Sequence, residues 1–262
     1  MVSRDEDSKF LFISDLHLGG FDTKKNDFLL KAFSNIVEYA IVHQFKLIIH
    51  GDLLDYYMQY GDWIPDVAQK PFQILADYNQ RADSPAIYIT GNHDNWDVDY
   101  IEKIGCTVIH EAYEIQIKEL NVFIAHGDGL NDPKFNFPRP LLHRLLRNSY
   151  FVGMYKSFTS PAFGNAIMRN FSKLNRSISP GKDSDTIKLD NWATALLKNF
   201  NYNVVICGHH HHNRYIQNTD GIYINTGCFY TDLTFATYTN KGFELVIWNN
   251  NTNEISPWKP LD

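Results

Sequence analysis

Seven side chains able to hold a divalent cation stand at or just past the ends of five short apolar runs. They are Asp15 and His17 after FLFIS, Asp52 after LIIHG, Asn92 after IYITG, His126 after VFIA, and His209 and His211 after VVICG. Carboxylate, amide and imidazole without thiolate form a hard-to-borderline donor set. Such a set suits Mn²⁺, Fe²⁺ or Zn²⁺ in an open site rather than a closed structural zinc. A carboxylate such as Asp52 can bridge two cations roughly 3.5–4 Å apart, the separation of two-metal hydrolases. A cation pair lowers the pKa of a shared water and neutralises charge growing on a phosphoryl group, so the chemistry expected is hydrolysis of a phosphoester or pyrophosphate.

Runs of four or five β-branched and apolar residues predict buried strands, and in α/β proteins ligands bind just past the carboxyl ends of such strands. Strands are expected at Phe10 to Ile13, Leu47 to Ile49 and Ala86 to Ile89, with a helix capped by Asn26 and another around Pro71 to Arg81 between them, giving β-α-β-α-β. After Cys106 closely spaced strands follow, Thr107 to Ile109, Tyr113 to Ile117 and Val122 to Ala125. The last sixty residues repeat that style with Val204 to Cys207, Tyr215 to Gln217, Ile222 to Asn225, Leu233 to Tyr238 and Glu244 to Trp248. The expected fold class is α/β, two mixed sheets packed face to face with helices outside, in one domain spanning residues 1–262.

In the run of histidines from His209 to His212, extended geometry would send His209 and His211 one way and His210 and His212 the other, so only the first pair joins the donor set. His43, His50, His110 and His143 have no partner at ligand spacing and read as structural or surface residues. His93, beside Asn92, lies at the mouth of the site. Asp94 is expected to hold its ring, the arrangement that fixes a tautomer and favours the protonated form. His93 is then a candidate to donate to a phosphoryl oxygen or to the leaving group.

The net charge of −6 hides an asymmetry. From Pro133 to Lys182 there is no Asp or Glu, while Lys134, Arg139, Arg144, Arg147, Lys156, Arg169, Lys173, Arg176 and Lys182 are all basic. Apolar residues recur there at helical spacing, Leu141, Leu142, Leu145 and Leu146, then Phe151, Met154, Tyr155 and Phe158, then Phe163, Ile167 and Phe171. Two or three amphipathic helices inserted as a cap over residues 131–190 are expected, their apolar stripe either packing on the body or lining a lipid groove. The basic bias without a recognised binding module makes nucleic acid an unlikely partner.

The three cysteines form no C-x-x-C pair, the acidic start MVSRDEDSKF does not look like a signal peptide, and no run approaches a membrane span; a reducing, cytoplasmic setting is expected.

The blocks Asp15-Leu16-His17, Gly51-Asp52, Gly91-Asn92-His93-Asp94, His126 and Gly208-His209-His210-His211 resemble, in order, those of the calcineurin-like metallophosphoesterases. That resemblance implies a four-layer α/β/β/α sandwich. It also implies one metal on Asp15, His17, Asp52 and His211 and another on Asp52, Asn92, His126 and His209. Within that family, Ile13 to Gly19, Gly51 to Asp55, Gly91 to Trp96 and His126 to Leu130, followed by a helical cap, are similar to the UDP-2,3-diacylglucosamine diphosphatases. These release UMP and an acylated sugar 1-phosphate in lipid A synthesis, usually with Mn²⁺. The best-known form differs in having Arg where this chain has His93. The resemblance implies substrate contacts at Asp128, Arg169, Lys173, Arg176 and Ser177, and transient peripheral contact with the cytoplasmic face of the inner membrane, where Lys and Arg meet anionic lipid. Two other classes stay open: a metallophosphoesterase of a soluble nucleotide, nucleic acid or phosphoprotein, and an interaction scaffold of the same fold.

Overall fold

A computed structural model describes residues 4–5, 9–178 and 183–259, with side chains described for residues 9–170 and 186–259. Two sheets carry the fold. In one, β2 (Lys9–Ile13), β3 (Phe45–His50), β4 (Ile87–Ile89) and β5 (Thr107–Ile109) run parallel. The antiparallel strands β11 (Thr234–Thr239), β12 (Gly242–Asn249) and β13 (Glu254–Pro257) extend it, giving the order β13-β12-β11-β2-β3-β4-β5. The other sheet has the order β1-β6-β7-β8-β10-β9, from Arg4–Asp5, Ala112–Ile117, Leu120–Ala125, Val204–Cys207, Gly221–Thr226 and Asn213–Asn218. There β7 lies parallel to β8, and β8 to β10.

The apolar runs are continuous because each strand is covered on both faces. Phe10, Phe12 and Ile48 of the first sheet meet Val122, Ile124, Val204 and Ile206 of the second in a core between the sheets. Their neighbours Leu11, Ile13, Leu47 and Ile49 turn the other way, onto α1 (Thr23–Val42) and α2 (Asp66–Arg81). On the far side Phe123, Val205 and Cys207 pack against Leu189, Ala193 and Leu196 of α7 (Asp183–Asn199). The layers are therefore α/β/β/α, and the carboxyl ends of β2, β3, β4, β7 and β8 open on one edge of the sandwich.

Two expected helix starts move. Asp22, not Asn26, caps α1, its carboxylate accepting from the Lys25 N–H at 2.8 Å, while Asn26 ties the preceding loop through Gly19 and Phe21. Helix α2 begins at Asp66 and takes Pro71 into its second turn. A short helix not foreseen, α3 (Tyr100–Lys103), precedes β5, and α8 (Phe229–Asp232) follows β10.

Between β7 and β8 the acid-free segment folds into α4 (Leu141–Leu146), α5 (Ser149–Phe158) and α6 (Pro161–Ile178). They are bolted to the body through a small cluster in which Met168, Leu146, Phe151 and Tyr155 gather on Tyr56, Met58 and Trp96. The Trp96 indole N–H donates to the Leu146 carbonyl at 2.6 Å. Helix α7 crosses the expected cap boundary at residue 190 and serves instead as the outer layer of the second sheet. All three cysteines are free and buried, and among the described residues no helix is long and apolar enough to cross a membrane.

Candidate metal centre

Past the end of β2, Asp15 and His17 leave the strand with left-handed backbones (φ 55° and 49°); Asp52 (55°), His209 (70°) and His211 (57°) do the same after β3 and β8. Non-glycine residues rarely adopt this conformation, at a cost of about 1–3 kcal/mol each, and it clusters where side chains must be aimed. The strain is locked by backbone hydrogen bonds, Asp15 N–H to the Gly51 carbonyl at 3.1 Å and His17 N–H to the Asp52 carbonyl at 3.0 Å. His209 and His211 thus both face the crevice because each turns through the left-handed region, not because the chain is extended. The His210 ring is tilted against that of His209, with centroids 4.9 Å apart at 60°.

Three triads of donors result, Asp15-His17-His211, His17-Asp52-His93 and Asp52-His126-His209. Asp52 belongs to two of them. Its Oδ2 lies 3.2 Å from His126 Nε2 and 3.7 Å from His17 Nε2, while Oδ1 accepts from the His93 N–H at 3.0 Å. Asn92 Oδ1 stands 3.1 Å from His126 Nε2. On the other side the Nε2 atoms of His17 and His211 face each other at 3.1 Å, with Asp15 Oδ1 3.2 Å from the latter. All seven sequence-predicted donors therefore meet in one crevice. Two glycines make the approach possible: a Cβ at Gly91 would collide with the Asp52 carboxylate and one at Gly208 with that of Asp15.

The donor set fits a pair of cations. His126 Nδ1 donates to the His50 carbonyl at 3.1 Å, His17 Nδ1 faces Asp55 Oδ1 at 3.4 Å, and His211 Nδ1 meets the Tyr230 hydroxyl at 3.1 Å. Each contact fixes the ring so that Nε2 keeps its lone pair for an ion. Protonation tells the same story. Burial alone would lower the pKa of His17, but hydrogen bonds to Asp15 and Asp55 and the charge of Asp52 outweigh it and raise the ring to about 9. His126 likewise, against burial, is raised to about 10 by Asp52. Burial would push Asp15 and Asp52 up, yet the surrounding histidines hold both well below the carboxylate range. With no ion bound, protons supply the positive charge that this buried pocket demands.

One expected contact is corrected. Asp94 does not hold the His93 ring. Its carboxylate accepts from the Gly91 N–H (2.7 Å), the Leu53 N–H (2.9 Å) and the Tyr88 hydroxyl (2.7 Å), and so shapes the two loops that carry Asn92 and Asp52. The three donors together need a fully buried acceptor, which a side chain reaching out to the site mouth could not be. The His93 ring is held instead by the Asp55 carbonyl at Nδ1, with Nε2 3.9 Å from Asp52 Oδ2. Burial, only partly opposed by Asp52, lowers its pKa.

Asp128 is also placed differently. It is buried under two guanidiniums, Arg147 at 3.0 Å and Arg139 at 3.4 Å, so it tethers the cap rather than opening to a ligand. Burial would raise its pKa, but Arg147, His126 and Arg139 bring it to about 2. Arg147 also donates to the Gly91 carbonyl at 2.8 Å, joining the cap to the loop of Asn92 and His93. Arg169 reaches the rim, 3.5 Å from the Gly19 carbonyl. The side chains of Lys173, Arg176 and Ser177 lie outside the described residues. Sequence reasoning did not place Arg139, His143 and Arg147 at the site, although they recur at a spacing of four in and beside α4, shortly after Asp128.

Comparison with known proteins follows this geometry. A UDP-2,3-diacylglucosamine hydrolase of Pseudomonas putida is 30% identical over 145 residues, 53% of this chain and 55% of that protein. One of Shewanella loihica is 31% identical over 124 residues, 46% and 47% of the two chains. The chain thus spans about half the length of the curated relatives it matches. Among solved structures, GAP50, the anchor in the inner membrane complex of Plasmodium, shares the fold with a TM-score of 0.51 at 12% identity, over 97% of this chain and 89% of that one. The model of the calcineurin-like phosphoesterases matches residues 8–213, a stretch that begins before β2 and closes just after the last donor histidine. The strand ends that aim the seven donors thus lie within the stretch that the family model matches, and the chain belongs to the calcineurin-like phosphoesterase family.

Proposed function

We propose that the protein is a dinuclear-metal hydrolase of a pyrophosphate or phosphodiester, and that its substrate is UDP-2,3-diacylglucosamine, released as UMP and the diacylglucosamine 1-phosphate. The observation that carries the reaction class is the sharing of Asp52 between donor triads on both sides of the crevice. In this reading Asp15, His17, Asp52 and His211 hold one cation, and Asp52, Asn92, His126 and His209 the other, with Mn²⁺ as the first choice. The ions supply Lewis acidity at phosphorus and a lowered pKa for water.

The chain's own groups do the rest. Asp55 fixes the His93 ring through its carbonyl, so that Nε2 points to the crevice and can pass a proton to the leaving oxygen. Arg147 braces the Gly91 carbonyl and keeps the Asn92-His93 loop in register with Asp52. Arg169, at the rim, is available to the second phosphate or to the sugar.

The names of the relatives and the shape of the cap support the substrate. Helices α4 and α5 have no buried residue, and Leu141, Tyr150 and Phe158 are 82%, 87% and 84% exposed. Apolar side chains presented beside basic ones suit acyl chains at a membrane surface.

The test is a Mn²⁺-dependent assay on UDP-2,3-diacylglucosamine in detergent micelles, with bis-p-nitrophenyl phosphate and a soluble dinucleotide in parallel. Release of UMP that Asp52→Ala abolishes is expected. Turnover of the soluble compounds alone would remove the lipid substrate and keep the reaction class.

A further inference from the structure

The helix α4 is inside out. Three of its four leucines, Leu141, Leu142 and Leu145, are exposed and only Leu146 packs on the body, whereas His143 and the flanking Arg139 and Arg147 turn inward and are polar. The two arginines have evident work, since both guanidiniums reach the buried Asp128 carboxylate and Arg147 continues to the Gly91 carbonyl. Asp128 is neutralised without a third cation. His143 is not needed for that, and its Nδ1 lies 3.9 Å from Asp128 Oδ2, beyond hydrogen-bond reach.

Yet the ring is carried to the edge of the centre. It stands edge-on to the His209 ring, with centroids 6.0 Å apart at 82°, and the His209 ring in turn meets that of His126 at 5.0 Å. The side chain is only 18% exposed, and Nδ1 is buried with no hydrogen-bond partner. A buried imidazole nitrogen left unpaired is costly, and native proteins keep such groups where a ligand completes them. On the His126–His209 side α4 thus stands beside the donors, with the His143 ring as its nearest polar group to them.

We propose that His143 is a substrate-contacting residue, which the cap places against the phosphoryl oxygens on the His126–His209 side of the centre and which holds neither cation. The inference rests on the proposed reaction class but not on the lipid identity of the substrate. A phosphoryl group has oxygens for the ring to donate to.

The experiment uses the full chain loaded with Mn²⁺, with inorganic phosphate as the probe, titrated calorimetrically into the unaltered protein and into His143→Ala, His143→Gln and Val42→Ala. The expected result for His143→Ala is phosphate binding weaker by roughly tenfold or more, the size of one lost charge-assisted hydrogen bond. His143→Gln, which keeps a donor, should recover part of the affinity. Val42→Ala, an exposed position at the end of α1, should bind as the unaltered protein does. Metal analysis should find the same manganese content in all four. Unchanged phosphate affinity in His143→Ala overturns the proposal, as does loss of one equivalent of manganese, which would make His143 a ligand. If both His143 variants melt earlier by the same amount and bind phosphate normally, the ring is only structural. Failure of the unaltered, manganese-loaded protein to bind phosphate removes both this contact and the proposed reaction. Phosphate binding without turnover of any ester or anhydride removes the reaction and leaves the contact standing.

Discussion

The metal centre and the helical cap invert each other. At the strand ends, Asp15, His17, Asp52 and His126 are buried almost completely, among the most polar groups the chain has, while in the cap Leu141, Tyr150, Phe158 and Phe163 stand in solvent. Burying a lone carboxylate costs several kcal/mol, and leaving a Leu or Phe exposed forgoes about 1.5–3 kcal/mol. Both regions therefore sit against the ordinary gradient of hydropathy.

The sharpest break in that contrast is Asp52→Ala. It removes the carboxylate common to both sides of the crevice and leaves His17 and His126 with less negative charge to face. Hydrolysis should fall by about 10³-fold or more, and the purified variant should retain less than its full manganese complement. Wild-type turnover in this variant would show that the centre does not depend on a shared carboxylate.

His93→Gln comes next. If Nε2 supplies a proton, kcat should drop about 10²-fold with metal content intact, and the limb of the pH–rate profile that reports this acid should vanish. A parallel fall in manganese content would move His93 from proton donor to ligand, and an unchanged profile would leave it without either role.

Stripping the metals tests the charge demand of the centre directly. His17 and His126, raised to about 9 and 10 in the folded protein, bind protons more tightly than their unfolded value of about 6.5. Their contribution is complete below pH about 6.5 and is lost as pH rises through 9 and 10. The chelated protein should therefore melt several degrees lower at pH 9.5 than at pH 7, by differential scanning calorimetry. Saturating Mn²⁺, which replaces those protons, should flatten the slope. An equal pH slope with and without manganese would mean that the ion does not occupy the same pocket.

How much of this was legible in the sequence divides along the same line. The strands could be read because Phe10 to Ile13 or Val204 to Cys207 are covered on both faces, so that every residue of the run is apolar. The donors could be read because each follows such a run. Their aim could not. The left-handed backbones at Asp15, Asp52 and His209 come from hydrogen bonds between loops that are distant in sequence, and no local pattern carries them. The role of Asp94 was hidden for a related reason. Its partners include Leu53 from another loop and Tyr88 from the strand before it, and nothing in Gly91-Asn92-His93-Asp94 says which way the last carboxylate turns. In the cap the leucine stripe of α4 was visible, but a stripe does not reveal whether it faces inward. His143 was set aside for want of a partner at ligand spacing, because the donor ring it meets, that of His209, is more than sixty residues further along the chain.

The smallest effect expected is at the outer face of the cap, and it is the one that distinguishes exposure for binding from exposure by accident. Leu141, Tyr150 and Phe158 make little contact with the body, so replacing Leu141 and Phe158 together by Ser should change the melting temperature by no more than a degree or two, within the about 0.5 kcal/mol per site typical of surface substitutions. Hydrolysis of a soluble diester should be unaffected, because neither side chain is among the donors. If the apolar face meets a membrane, sedimentation with vesicles containing anionic lipid should weaken several-fold, since each side chain withdrawn from the acyl boundary forfeits its transfer free energy. A double variant that loses several kcal/mol of stability would place these residues in a packed interface after all. In that case the inversion between cap and centre would lie in one region only, at the strand ends.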